Sequence, residues 1–191
     1  MNALTYASPG SVDEAVKFLA AADGNARLLA GGTDLLVQLR LGMIEPSLIV
    51  DVKNISEMTA IKEENGGFRI GASVSGAVLG EHAGMRRAWP GVVEAVELIG
   101  STQIQGRATM GGNLCNASPA ADAVPAMIAA DAVCTIAGPD GRREARVEEI
   151  VIGPGETSLE AFEMIVDFFF PARPARSGDA YLRFIPRTEM D

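Results

Sequence analysis

Two short segments of this sequence centre on small and polar residues: LLAGGTDL at 28–35 and TMGGNLCNASPAAD at 109–122. Each pairs Gly-Gly with a hydrogen-bonding residue, Thr33 in the first and Asn113 in the second, and each lies between stretches patterned like regular elements. Glycine pairs allow positive φ, which points successive N–H groups into one concavity, and they let a ligand approach the main chain closely. Arg27, Arg40 and Arg107 only flank the two segments. An anion bound here is therefore expected to rest mainly on amide dipoles and helix starts. Either segment by itself also reads as a tight turn, whereas two in one chain favour a nucleotide or dinucleotide whose diphosphate bridges them. The spacings G-x-G-x-x-G and G-x-x-x-x-G-K-[ST] are both absent, so the Rossmann and Walker readings fail.

The surrounding pattern predicts an α+β chain. Ser11 and Glu14 have capping-box spacing ahead of a helix whose Val12, Ala15, Val16 and Leu19 share one face, with Gly24 as its stop. A short strand at Leu28 to Ala30, a helix capped by Thr33 or Asp34, and a strand in SLIVDVKNI complete a βαβ-type unit. Beyond it, Asn65-Gly66-Gly67 and Pro139-Asp140-Gly141 each mark a hairpin turn. Pro90 opens a helix, Asp122 to Ala130 forms another, and FEMIVDFFFP reads as a buried strand ended by Pro171. Hairpin-paired strands with helices inserted between them predict a mostly antiparallel second unit.

Composition removes several functions. With 16 basic against 25 acidic residues and a formal charge of -9, the surface repels a phosphate backbone, which sets nucleic-acid binding aside. The longest apolar runs are broken by Asp131 and Asp167 and fall short of the roughly 20 residues a membrane span requires. The first residues lack the pattern of a secretory signal, and two cysteines give no disulfide framework, which points to a reducing cytoplasm. Cys115, Cys134 and the single histidine, His82, assemble neither a zinc site, nor an iron–sulfur site, nor a nucleophilic triad. Cys115 is expected to act as a small hydrophobe and His82 as an isolated surface residue. Any redox chemistry must then come from a bound organic cofactor.

LLAGGTDLLVQLR followed by GRATMGGNLCNASPAADAVPA closely resembles the FAD-binding medium subunit of the molybdenum hydroxylases, the group that includes xanthine dehydrogenase and aerobic carbon monoxide dehydrogenase. The likeness extends from YASPGSVDEAV to YLRFIPRTEMD. It implies a p-cresol-methylhydroxylase-type FAD fold: a small subdomain over 1–55, a larger α+β subdomain over 56–176, FAD in the cleft between them, and the start of a C-terminal region at 177–191. Carried over by motif, Leu28, Leu29, Ala30, Gly31, Gly32, Thr33, Asp34 and Leu35, with Thr109, Met110, Gly111, Gly112 and Asn113, line the diphosphate and ribityl chain. Asp122 matches an acidic position that contacts FAD, where the residue-level alternative is a helix N-cap. Ile99 and Ile165 match apolar positions near the flavin, and both also suit an ordinary core.

Arg183 stands where the family commonly has lysine, so a planar fork replaces a point charge. Glu156 replaces an expected basic residue. The sequence stops at Asp191, where relatives continue with a C-terminal domain of about a hundred residues, a common domain size; the expectation is a piece of a longer protein or a short member. The implied function is electron transfer. FAD takes electrons from 2Fe-2S centres on a small partner subunit, fed by a molybdenum cofactor on a large one, and passes them to an acceptor such as NAD or a quinone. The rival readings are a non-catalytic scaffold with the same fold and a self-sufficient flavin oxidoreductase, for which no substrate-side acid or base stands out.

Overall fold

The structure is a computed structural model and describes residues 4–185. Ser11 starts the first helix as expected: its hydroxyl accepts from the Glu14 amide at 3.3 Å, and the Glu14 carboxylate accepts from the Gly10 amide at 2.9 Å. This helix, α1 (Val12–Ala21), buries Val12, Ala15, Val16 and Leu19. Strand β1 (Thr5–Ala7) precedes it, and β2 (Ala26–Leu29), α2 (Leu35–Arg40) and β3 (Leu48–Asp51) follow. The three strands form a parallel sheet in the order β1-β3-β2, with Tyr6 opposite Ile49 and Leu28 opposite Val50. The short β1 carries no pattern of its own. Its position is fixed by pairing with β3 and by the Tyr6 hydroxyl, which donates to Asp51 at 2.6 Å.

The second sheet is antiparallel. Strand β4 (Ile61–Glu64) turns through Asn65 and Gly66, both at positive φ, into β5 (Gly67–Gly71). Six helices follow before the next strand: α3 (Gly76–Glu81), α4 (Ala83–Ala88), α5 (Pro90–Glu97), α6 (Thr102–Gln105), α7 (Met110–Cys115) and α8 (Ala123–Ala129). Strands β6 (Val133–Gly138) and β7 (Gly141–Arg146) make the second hairpin, β8 (Val151–Gly153) and β9 (Glu156–Thr157) a small separate one, and β10 (Met164–Phe170) is the final regular element among the described residues. The order β4-β5-β10-β6-β7 puts β10 in the centre. That follows from MIVDFFF, which is apolar on both faces and almost wholly buried. Its one acid, Asp167, accepts at Oδ1 from Arg69 at 2.7 Å and from the Thr135 hydroxyl at 2.8 Å, so the buried charge is paired.

Helices α3, α5 and α8 pack on one another, and their Leu79, Val92, Val96 and Met127 join Ile70, Ile136, Phe168 and Phe170 of the sheet in one continuous core. The buried face of α1 belongs to the same core. After β10 the chain crosses the helices as an extended strap. The Trp89 indole donates to the Pro171 carbonyl at 3.2 Å, and Asp179 binds both Arg173 and the Gly91 amide.

Candidate functional site

The first glycine segment leaves the sheet at Leu29 and turns at Gly32, where φ is +80°. Gly31 has a different reason to be glycine. A β-carbon there would overlap the carbonyl oxygen of Arg107, just ahead of the second segment. Asp34 occupies the N-cap position of α2 without a side-chain cap bond, so the expected capping role is not realised; its carboxylate instead accepts from Asn116 at 3.3 Å and from Thr33 at 3.3 Å. Gln38 of α2 also reaches Asn116, at 3.4 Å. Through Asn116, the C-cap of α7, the two motifs are joined side to side.

The second segment is helical where a loop was expected. Thr109 caps α7, its hydroxyl accepting from the Gly112 amide at 2.9 Å. Neither Gly111 nor Gly112 has positive φ, and Gly31 does not either, so that expectation holds only at Gly32. Close packing replaces it: a β-carbon on Gly111 would sit 2.6 Å from the Ala72 carbonyl oxygen. Asn113, not Asp122, satisfies the start of α8, its Oδ1 accepting from the Ala123 amide at 3.1 Å, while Asp122 makes no side-chain cap bond. With Oδ1 so engaged, the Asn113 NH2 remains as a donor on the cleft wall.

The motifs bound a cleft of about 380 Å³, within the usual range for small-molecule sites. Of the residues singled out from sequence, 28, 30–35, 99, 109, 111–113 and 165 line it. Leu29 and Met110 do not: Leu29 packs beneath Gly32, and Met110 is buried in the core. Asp122 and Arg183 also lie outside the lining. They pair with each other at 3.2 Å, the Tyr181 hydroxyl donates to Asp122 at 3.0 Å, and Arg183 donates to the Leu98 carbonyl at 3.3 Å, next to the cleft-lining Ile99. Sequence reasoning missed Gln38, which lies within the first motif just past Leu35, and Ser73, Leu159 and Glu163, which come to the cleft from distant segments with no shared motif.

Arg27 is the only basic side chain on the cleft wall among the described residues, and it donates to the Ala26 and Gly24 carbonyls rather than to a carboxylate. Glu163 is engaged by Arg143 through two bonds of 2.7 and 2.8 Å, which hold its carboxyl below the usual carboxylate range despite partial burial. Cys115 opens on the cleft, while surrounding protein atoms raise its pKa; solvent in the cleft moderates that rise, and the thiol is neutral at pH 7 in either case. His82 caps α4, Nδ1 accepting from the Met85 amide at 3.1 Å, and its ring meets Phe68 edge-on. No metal-binding cluster of His, Cys, Asp or Glu occurs among the described residues.

A mixed helix-and-sheet chain whose two glycine motifs share one mostly apolar cleft with polar groups on its wall has the build of a nucleotide-cofactor-binding protein. The family model described as "FAD binding domain in molybdopterin dehydrogenase" matches residues 2–173. The xanthine dehydrogenase FAD-binding subunit of Escherichia coli O157:H7 is 35% identical over 189 residues, covering 98% of this chain and 64% of that protein. The carbon monoxide dehydrogenase medium chain of Hydrogenophaga pseudoflava is 33% identical over 183 residues, covering 96% and 64%. Among solved structures, carbon monoxide dehydrogenase from Hydrogenophaga pseudoflava superposes with a TM-score of 0.92 at 33% identity, over 97% of this chain and 65% of that one. Quinoline 2-oxidoreductase from Pseudomonas putida 86 gives 0.85 at 30%, over 91% and 60%. The chain belongs to the family of FAD-binding domains of molybdopterin dehydrogenases. It spans 64% of the length of these two curated relatives.

Proposed function

We propose that the chain holds FAD in this cleft and serves as the flavin-bearing electron-transfer subunit of a molybdenum-containing hydroxylase or dehydrogenase. The observation that carries the reading is the seam at Gly31–Arg107 and Asp34–Asn116, which brings both glycine motifs into one cleft. The residues fit the group. The Asn113 NH2 and Arg27 offer donors suited to a diphosphate, and Leu28, Leu35, Ile99 and Ile165 offer apolar surface suited to flat rings. On this reading the fold is of the p-cresol-methylhydroxylase type, with 1–55 and 56–176 as its two subdomains.

FAD held there would supply the redox chemistry that links 2Fe-2S centres on a small partner subunit, fed by a molybdenum cofactor on a large one, to an acceptor such as NAD or a quinone. This chain's residues bind, orient and shield. Leu29 and Met110 support the two motifs from beneath, and the Asp122–Arg183 pair anchors the strap beside Ile99. No side chain is assigned as acid, base or nucleophile. The free thiols of Cys115 and Cys134 accord with a reducing cytoplasm, and no helix among the described residues is long and apolar enough to cross a membrane.

The test is a visible absorption spectrum of the purified chain, with chromatography of what heat or acid releases. A flavin spectrum with FAD rather than FMN released is the expected result. A colourless chain that takes up no added FAD overturns the reading and favours the scaffold alternative.

A further inference from the structure

We propose that the buried hydroxyl of Ser73 is a direct hydrogen-bonding partner of the flavin nucleotide, an assignment that rests on the FAD reading above. Ser73 lines the cleft, is only 8% exposed, and its Oγ has no hydrogen-bond partner among the described residues. Buried hydroxyls are rarely left in that condition, because burial strips them of water and returns nothing unless a partner is found. Ser75, two residues on, shows the usual solution: its hydroxyl accepts from the Val78 amide and caps α3.

The main chain holds Ser73 firmly. Its amide donates to the Met58 carbonyl at 2.8 Å, Ala72 donates to Val166 at 2.9 Å, and Val74 donates to Gly71 at 3.0 Å. The Ala72 carbonyl in turn accepts from the Gly111 amide at 3.3 Å. The side chain therefore starts from a fixed point between the start of α7 and the part of β10 that brings Ile165 to the cleft. A hydroxyl donates and accepts at once. It suits a ligand that presents phosphate oxygens, sugar hydroxyls and ring nitrogens along one molecule. Nothing in the local sequence GASVSG marks Ser73 as different from Ser75; the distinction exists only in the folded chain.

The experiment compares the wild-type chain with Ser73→Ala, each stripped of flavin and then titrated with FAD by fluorescence, with thermal midpoints recorded before and after loading. The expected result is a Kd raised about tenfold, the scale of one neutral hydrogen bond, together with a flavin-free midpoint that is unchanged or higher. Removing an unsatisfied buried hydroxyl relieves the empty protein while depriving the loaded one, so the two readouts move apart. An unaltered Kd overturns the assignment. So does a lowered flavin-free midpoint with an unchanged FAD-induced rise, which would make Ser73 structural. If the wild-type chain takes up no FAD, the underlying reading falls and this assignment with it, an outcome distinct from wild-type binding with an indifferent variant.

Discussion

A β-carbon on Gly31 would lie inside the carbonyl oxygen of Arg107, so the two glycine motifs touch backbone to backbone across 76 residues of sequence. The contact predicts that Gly31→Ala forces the loops apart. Overpacking of this kind costs about 1–3 kcal/mol, and in a chain of this size each kcal/mol lowers the thermal midpoint by about 2–4 °C. FAD retention is expected to fall with it. Calorimetry and flavin release on the variant check both, and an unchanged midpoint with full retention would mean that the seam opens at no cost.

Gly111 and Gly112 are neighbours with opposite surroundings. A side chain on Gly111 meets the Ala72 backbone and β-carbon at 2.6 and 2.9 Å, whereas one on Gly112 meets only the Thr109 hydroxyl, at 3.1 Å. Gly111→Val is therefore expected to destabilise the fold and abolish FAD retention together. Gly112→Ala is expected to keep the stability within about 1 kcal/mol of the wild type, the scale of a helix Gly-to-Ala exchange, while weakening FAD binding from the cleft side. Circular dichroism melts paired with FAD titration separate the two; equal loss of stability in both variants contradicts the structure.

Cys115 faces the cleft, whereas Cys134 is fully buried with its thiol donating to the Ala145 carbonyl at 3.3 Å. One thiol should therefore react in the native chain. Because the Cys115 pKa is raised, labelling is expected to be slow at pH 7 and faster as pH rises. Bulky maleimides should block FAD uptake, and bound FAD should protect the thiol. Mass spectrometry of labelled peptides checks this, and equal labelling with and without FAD would place the cofactor elsewhere.

Asp51 and Glu163 set part of the acid sensitivity. Burial opposes the Asp51 charge, but hydrogen bonds from Lys53 and Tyr6 prevail and hold its pKa below the usual carboxylate range; Arg143 does the same for Glu163. Groups with depressed native pKa values stabilise fully above the ordinary carboxylate range, and that contribution is lost as pH falls through the lowered values. Urea midpoints are expected to be flat from neutrality to about pH 5 and to fall below that. Asp51→Asn and Glu163→Gln should each flatten the acid limb, and an unaltered slope in both would show that other carboxylates govern it.

Much of the fold was legible locally. Asn65-Gly66 declared its hairpin because both residues take positive φ, Pro90 opened α5, and MIVDFFF identified a doubly buried strand by its lack of alternation. Strand β1 was not legible, since TYA becomes a strand only by lying against β3. The glycine motifs were found, but the packing reason for Gly31 and Gly111 was not. A glycine kept small by a carbonyl far along the chain, as Gly31 is by Arg107, has the same local sequence as one kept for positive φ. Asp122 and Arg183 were each matched to a ligand role, and their contact with each other joins positions 61 residues apart.

The position of β10 sets an order of events during synthesis. The first sheet has all its strands once residue 51 has left the ribosome, but the second keeps a gap at its centre until residue 170. Until then the β4–β5 and β6–β7 hairpins each present an unpaired edge, the exposure that makes nascent chains depend on chaperones. Ile165 reaches the cleft on that same central strand. The cleft is thus closed only once residue 165 has emerged, and a nascent chain cannot complete it before the second sheet is sealed.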